Sequence, residues 1–379
     1  MPSRPILLSP PNLSQRELKY LEEALESNWV APLGPAVDEF ESGLSRVLGE
    51  TVHVALLNSG TSAIHMGLIE CGVSEGDRVI CPSFSFVATV NPVLYQGAVP
   101  VFVDSERETL NMDPDQLQIA IDHLIEKKQR PKAIIVVHSY GVPCEMDKIV
   151  KIARSYDIPV IEDAAEALGS TYKGQYCGSL GDFGVISFNG NKIVTTSAGG
   201  ALTCKTSEEK ERVLFRSSQS STSSSDYHHS ELGFNYRMSN ICAAIGLGQL
   251  EALSEKVSRR RFIHQTYLRE LKGLSSVDIY DCPHQHIKPN YWLSCLYFQN
   301  GNKPDQIKEF IEFMANANIE TRRVWRPLHV QPFLSSYQFF GDGVVNELYQ
   351  SGVCLPSGDG MTDEELQTVI DTIKSFLNE

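Results

Sequence analysis

Apolar positions along this chain follow two periods. Residues 14–27 (SQRELKYLEEALES) carry leucines at helical spacing, with Leu18, Leu21 and Leu25 on one face, which predicts an amphipathic helix. Pro32, Gly34 and Pro35 in "NWVAPLGP" break that pattern, and a second helix is expected over residues 36–49. Short apolar runs then take over at 53–57, 78–81, 100–103, 133–137, 159–161 and 184–188, with helical segments between them. This alternation predicts an α/β fold whose large sheet is mostly parallel and covered on both faces. The serine-rich segment 216–230 (RSSQSSTSSSDYHHS) offers little to bury and reads as a loop. Residues 240–273 form one long helical stretch, which reads as the connection to a second unit. Past about residue 275 the pattern changes to a smaller α+β unit that ends in a helix over 363–377. The expected division is a large α/β domain over 1–255 and a small C-terminal α+β domain over 256–379.

Composition narrows the function classes. The 379 residues are 42% hydrophobic and 21% charged, as in ordinary globular proteins. A formal charge of −14 disfavours a nucleic-acid or anionic-membrane surface, yet leaves room for a small anionic substrate at a local positive site. Nine cysteines without repeated spacing suit a reducing compartment rather than a disulfide framework. "MPSRPILLSPPNLS" reads as neither signal peptide nor anchor, and no apolar run approaches the roughly 18 residues of a spanning helix. A cytoplasmic protein is expected.

Four segments carry candidate chemistry. In "VALLNSGTSAIHMGLIECG" (54–72), Gly60 permits a tight turn, while Thr61 and Ser62 set hydroxyls and amides at a helix start. Such a start receives phosphate, although an ordinary N-cap has the same composition. In "CPSFSFVATVNPV" (81–93), Phe84 and Phe86 fall on one side of an extended segment, where either could stack on a flat ring or pack in the core. In "IPVIEDAAEALGS" (158–170), Glu162 and Asp163 end an apolar strand, and only one of two adjacent side chains can enter a site at the strand ends.

The fourth segment is "ISFNGNKIVTT" (186–196). Lys192 sits there between apolar runs, with no acidic residue from Asp182 to Glu208. A partly buried lysine tends to give up its proton and become a nucleophile. A phosphate-loop reading fails, because Asn191 separates Gly190 from Lys192 and Ile193 follows. The remaining use is an imine with pyridoxal phosphate, whose ring nitrogen an aspartate partners.

With these segments in place, the chain resembles the DegT/DnrJ/EryC1/StrS nucleotide-sugar aminotransferases, pyridoxal-phosphate enzymes of fold type I. The resemblance runs from "SNWVAPLGPAVDEFE" through "NSGTSAIHMGL", "CPSFSFVATVNPV", "VVHSYGVPCEMDKI", "IEDAAEALGSTYKG", "GDFGVISFNGNKIVTTSAGG" and "LGFNYRMSNICAAIGLGQL" to "RPLHVQP". It implies Lys192 as the Schiff-base lysine and Asp163 as the partner of the pyridine nitrogen. It implies Phe86 at the ring-stacking position, with Gly60, Thr61, Ser62 and Ser187 about the phosphate. Glu166 matches a position that reaches the cofactor's phenolic oxygen. Asn235 matches an asparagine that reaches the neighbouring subunit's phosphate, which implies a homodimer with shared sites. "SFNGNK" together with "NWVAPLGP" looks closest to enzymes that aminate C4 of UDP-2-acetamido-2,6-dideoxy-4-hexulose, with L-glutamate as the donor. A dTDP-4-keto-6-deoxyhexose is the alternative substrate. The "SAGG" of residues 197–200 departs from the Gly-rich form of many relatives, which bears on substrate placement.

For the sugar, the resemblance points to His329, with Asn28 and Trp29 closing the pocket; a lone histidine is also an ordinary structural hydrogen-bonder. His138 stands at another strand end. Arg237, Arg322, Arg323 and Arg326 are unranked candidates for a pyrophosphate. Three other readings compete. A sugar dehydratase on this scaffold would have histidine in place of Lys192. A non-catalytic protein on this fold would have lost Lys192 or Asp163. A metal enzyme would use Cys282, His284 and His286 in "DCPHQHIK", but a fourth clustered ligand is missing and no metal is expected.

Overall fold

Each predicted apolar run is a strand, with no end shifted by more than two residues. The computed structural model describes residues 4–222, 226–299 and 305–378. In chain order the first strands are β1 (His53–Leu57), β2 (Arg78–Pro82), β3 (Val99–Val103), β4 (Pro131–Val137) and β5 (Val160–Asp163). They are followed by β6 (Thr171–Tyr172), β7 (Gln175–Tyr176), β8 (Phe183–Ser187) and β9 (Gly200–Cys204). The C-terminal third adds β10 (Val277–Ile279), β11 (Ile287–Lys288), β12 (Ser294–Phe298), β13 (Arg322–Arg323), β14 (Phe339–Phe340) and β15 (Gly352–Leu355).

An eight-stranded sheet runs in the order β1-β9-β8-β5-β4-β2-β3-β14. From β8 to β14 every pairing is parallel, and β1 and β9 close one edge antiparallel. The central strands are buried on both faces, which is why they read as unbroken apolar runs rather than alternating ones. The helix α3 (Gly60–Glu70) lies within the core, with its residues buried from Ser62 to Leu68. A four-stranded antiparallel sheet, β10-β12-β15-β13, builds a separate apolar core with helices 306–316 and 363–377. β14 returns from that region to the large sheet, placing Phe339 opposite Phe102.

One predicted helix forms with its apolar face turned outward, and two expectations need correction. The helix α1 (Arg16–Glu26) forms, but its leucine stripe faces outward: Leu18 is 56% exposed and Leu25 60%. α1 is instead held on helix 240–251 by its buried Glu17, which accepts a hydrogen bond from the Gln249 amide. The long stretch 240–273 is two helices, 240–251 and 253–271, parted at Ala252. The serine-rich segment buries more than expected, since helix 207–217 takes in its first residues and both Ser217 and Ser220 are buried. Residues 223–225 of that segment lie outside the described residues. Helix α2 (Pro35–Val47) starts on a proline, whose missing N–H is no loss in a first turn. Among the described residues no helix is long and apolar enough to cross a membrane.

Candidate active site

Parallel strands all end on one edge of a sheet, and ligands of open α/β folds collect at that edge. Here the last residues of β4, β5 and β8 (Val137, Asp163 and Ser187) line one cavity of about 500 Å³. As the alternation of side chains along a strand requires, the two acidic residues of β5 part company. Glu162 points away from the cavity, where it meets His138 Nε2 at 2.8 Å and accepts from the N–H groups of Gly178, Leu180 and Gly181. Asp163 lines the cavity. Its Oδ2 accepts from the Thr89 hydroxyl at 2.8 Å, and its Oδ1 accepts from the Ala165 N–H at 3.2 Å. Burial raises the Asp163 carboxyl above its usual value, and the Thr89 and Ala165 hydrogen bonds and nearby Lys192 only partly oppose this.

Lys192 lies in a turn after β8 and also lines the cavity. The sequence shows no acidic neighbour, but the fold supplies one: Lys192 Nζ is 2.9 Å from Glu166 Oε1. The pair is largely enclosed, with side chains 13% and 5% exposed. Burial pushes Glu166 up to about 7, against the pull of Lys192. Trp292 forms the other wall, its ring centre 4.2 Å from Lys192 Nζ. The Trp292 indole N–H also donates to the Asn191 carbonyl at 2.8 Å, which fixes the lysine turn against the C-terminal region.

The first turn of α3 faces the same cavity through Gly60 and Thr61. Ser59 caps that helix by accepting from the Ser62 N–H, which leaves the Gly60 and Thr61 amides without an intrahelical partner. Gly60 has a steric role here: a Cβ added to it would meet Ser187 Cβ at 3.1 Å. Phe86, 56% exposed, turns its ring into the cavity, whereas Phe84 is buried against Tyr140 and Trp325. The two phenylalanines therefore do not share a side, because the 3-10 turn 87–89 begins directly after Phe86.

Several expected residues lie elsewhere. Ser62 is buried behind the first turn, its hydroxyl 2.6 Å from Asn58 Oδ1 and 2.8 Å from Ser59 Oγ. Asn28 and Trp29 are exposed at the end of α1, where the Trp29 carbonyl accepts from Asn240, and neither lines the cavity. His329 is taken up structurally: Nδ1 lies 2.7 Å from Ser83 Oγ, and the ring stacks on Phe339 at 3.9 Å. His138 is buried on Glu162. Of the four arginines, Arg322 and Arg323 reach the cavity, Arg237 lies 3.4 Å from Glu41, and Arg326 is exposed outside it. Asn235 is also exposed and lies outside its own chain's cavity, where its carbonyl accepts from the Asn58 amide.

Sequence reasoning missed Thr89, Tyr140, Trp292 and Trp325. Tyr140 has φ 55°, a left-handed conformation that bulky residues rarely adopt. That backbone aims its N–H at Glu166 Oε2, 2.9 Å away, and stacks its ring on Trp325 at 4.4 Å. The next residue, Gly141, also has positive φ, and a Cβ there would lie 1.8 Å from Asn290 Oδ1. Asn290 in turn donates to the Glu166 and Leu168 carbonyls, and its Oδ1 accepts from the Trp292 N–H at 2.8 Å, which sets Trp292 in place. A bulky residue before a glycine at a strand end is the one local signal that marked this corner.

An anion-receptive helix start, an uncovered aromatic face, a buried carboxylate and an amine thus share one cavity. Residues 11–374 match the DegT/DnrJ/EryC1/StrS aminotransferase family. The chain belongs to that family. This aminotransferase is 45% identical over 372 residues to EpsN of Bacillus subtilis, named for a pyridoxal phosphate-dependent aminotransferase, across 97% of this chain and 95% of that one. It is 34% identical over 379 residues to a GDP-perosamine synthase of Caulobacter vibrioides, across 98% of each. A UDP-4-amino-4,6-dideoxy-N-acetyl-beta-L-altrosamine transaminase of Campylobacter jejuni is 30% identical over 382 residues, across 98% of this chain and 97% of that one. Among solved structures, the PLP form of Spr1654 from Streptococcus pneumoniae, named as a sugar aminotransferase, is similar with a TM-score of 0.89. It is 27% identical and covers 99% of both chains. The enzyme is a pyridoxal-phosphate-dependent sugar aminotransferase of nucleotide-sugar biosynthesis. The residues present fit that cofactor: the aromatic face of Phe86 is uncovered, and Gly60 leaves space beside Ser187 at an anion-receptive helix start.

Proposed function

We propose that the enzyme moves an amino group from L-glutamate to C4 of UDP-2-acetamido-2,6-dideoxy-4-hexulose, for a bacterial glycan or exopolysaccharide. One observation carries the reaction class: the Lys192 amine and the Asp163 carboxylate face a single cavity, with Arg322 and Arg323 also lining it. Bound pyridoxal phosphate supplies an aldehyde that takes up amines and an electron-poor ring that stabilises negative charge at the donor's α-carbon. The chain's own groups do the rest. The first turn of α3 and the Ser187 hydroxyl would hold the phosphate, and Phe86 would cover one face of the ring. Asp163 keeps a proton on the ring nitrogen, because a carboxylate beside it favours the charged form. Lys192 Nζ takes the proton from the donor's α-carbon and returns it within the cavity, first as base and then as acid. In the sugar half-reaction the same amine would again act first as base and then as acid, this time delivering the proton to C4 of the sugar. Glu166 would be the partner of the ring's phenolic oxygen, and Trp292 with Tyr140 would exclude water from the lysine. Arg322 and Arg323 supply the positive partners that a pyrophosphate needs in an acidic chain.

Lys192→Ala tests the assignment. The variant should lose the yellow absorbance of the bound cofactor and all turnover, while its circular dichroism stays that of the wild type. Retained turnover would reject the assignment. The sugar is tested with a panel of UDP-, dTDP- and GDP-linked 4-keto-6-deoxy sugars and glutamate. The GDP arm is a second reading, motivated by the greater identity to a GDP-perosamine synthase than to the UDP-sugar transaminase. The nucleotide giving the highest kcat/KM decides between them.

We further infer a homodimer with shared sites. The outward stripe of Leu18 and Leu25, together with exposed Leu13, Val30 and Leu33, supports it, as does Asn235 exposed outside its own cavity. Light scattering at assay concentration should return twice the chain mass. Nine free thiols support a reducing, cytoplasmic setting. The separate core around β12 and β15 supports the division at residues 255/256.

A further inference from the structure

The cysteine–histidine segment 282–286 looked short of ligands in the sequence, and the fold changes that. His284 and His286 meet Glu145, the residue just before helix 146–155, so that their ligand atoms all lie within 4.8 Å of one another. His286 Nε2 is 3.0 Å from Glu145 Oε1, and His284 Nε2 is 3.8 Å from the same oxygen. A second carboxylate stands at the edge of the group: Glu108 Oε2 is 2.9 Å from His284 Nε2, on a side chain that is 62% exposed and outside the mutual cluster. Cys282 is not part of the cluster.

One atom here is anomalous. His284 Nε2 is enclosed, with two carboxylates beside it, yet it makes no hydrogen bond of proper geometry. A buried polar nitrogen without a partner is costly, and the Glu145 oxygen is at hydrogen-bonding distance from His286 alone, 3.0 Å against 3.8 Å for His284. One cation at the centre would satisfy all of them. Tetrahedral coordination at about 2.0–2.1 Å sets ligand atoms about 3.3 Å apart, and the observed 2.9, 3.0 and 3.8 Å bracket that spacing. We propose that Glu145, His284 and His286 form a site for a divalent transition metal of the zinc class, with the exposed Glu108 side chain turning in as fourth ligand. Two imidazoles with carboxylates suit that class better than calcium or magnesium, which prefer all-oxygen shells. The competing cation is Lys148, 3.8 Å from Glu145 Oε2 and 62% exposed, so it can turn to solvent.

The site's role is structural. None of the four residues lines the active-site cavity. The ion would clamp three separate segments: the loop that carries Glu108, the start of helix 146–155, and the strap leading into β11. That strap already touches the loop through the Tyr280 hydroxyl, which donates to the Glu108 carbonyl at 2.8 Å. The His286 ring packs edge-on against Tyr172 at 5.3 Å, which fixes its approach.

Zinc titration of metal-stripped, cofactor-loaded full-length enzyme by isothermal calorimetry tests the proposal. The wild type should bind one zinc per chain, and the ion should raise its Tm. Glu145→Gln and His286→Ala should each weaken binding at least tenfold and remove the rise in Tm. Anomalous diffraction at the zinc edge from wild-type crystals should show a peak among the four side chains, a readout that survives even if a variant misfolds. No binding, binding unchanged in both variants, or a peak elsewhere, such as at a cysteine, would overturn the proposal.

Discussion

Glu162 and Asp163 are neighbours at the end of one strand, both buried, and their surroundings differ sharply. Glu162 has His138 and three backbone N–H groups. Burial alone would push it up, but the His138 bond and the N–H groups outweigh that, and it ends below its usual value. Asp163 has one hydroxyl and one N–H, and burial keeps it above its usual value. A carboxylate whose lone pairs are all met by protein is a structural group. One left with spare capacity, next to a cavity and an amine, is free to hold a ligand's charge. The difference lies in the satisfaction of each group, since both are equally out of water.

Breaking the two groups separately should therefore have opposite signatures. Glu162→Gln puts a neutral amide where a carboxylate accepts from three backbone N–H groups and from His138, whose Nδ1 already accepts from the Cys144 N–H, and losing a hydrogen bond to a charged group costs about 1.5–3 kcal/mol. Urea unfolding should show that loss, while the rate per folded molecule stays within a few-fold of wild type. Asp163→Asn should do the reverse. Stability should barely fall, and kcat should drop roughly 10²–10³-fold, the usual effect of losing one aimed electrostatic partner. The bound cofactor's absorbance should persist in Asp163→Asn. A collapse of activity in Glu162→Gln at unchanged stability would erase the distinction drawn here.

Part of this contrast was legible beforehand. The strand and its two acidic ends follow from an apolar run that stops at polar residues, and strand alternation already demanded that only one side chain face the site. Lys192 was legible from its neutral neighbourhood. Glu166, the partner that neighbourhood lacked, is 26 residues earlier and arrives only when β5 and β8 pair. Thr89 lies 74 residues before Asp163, and no local pattern links them. The direction in which the α1 leucines face was not legible, for a different reason. A helical stripe shows that one face is apolar, and says nothing of whether this chain or another surface covers it. His329 shows the converse, a residue in a suggestive place whose ring was already engaged by Ser83 and Phe339.

Glu166 lies between the two extremes, with Lys192 on one oxygen and the Tyr140 N–H on the other. Its carboxyl moves from the usual 4.5 to about 7 on folding. Between those values the folded chain holds a proton that the unfolded chain has released. The stability this group contributes is thus full below the unfolded value and is lost as pH rises through about 7. The difference is worth on the order of 3 kcal/mol. Urea unfolding of cofactor-free protein between about pH 5 and 8 should show wild-type stability declining more steeply than that of Glu166→Gln. Parallel curves would mean that Glu166 is already satisfied, like Glu162.

The gentlest change widens the contrast without touching either carboxylate. The Thr89 hydroxyl donates to Asp163 Oδ2 at 2.8 Å and is itself 2.7 Å from the Ser85 hydroxyl. Valine keeps its shape and removes the donor. Asp163 would then retain only the Ala165 N–H at 3.2 Å, the longer of its two hydrogen bonds. A hydrogen bond to the charged form favours that form, so its loss should raise the Asp163 carboxyl further and move the acid limb of kcat to higher pH. A bond to a charged group contributes about 1.5–3 kcal/mol, so kcat near neutrality should fall roughly tenfold or more. A structural role for Thr89 predicts something else, a lower Tm with the acid limb in its wild-type place. The pH profile of Thr89→Val, measured below its Tm, separates the two, because only a residue acting through Asp163 can shift the titration of a group it does not share.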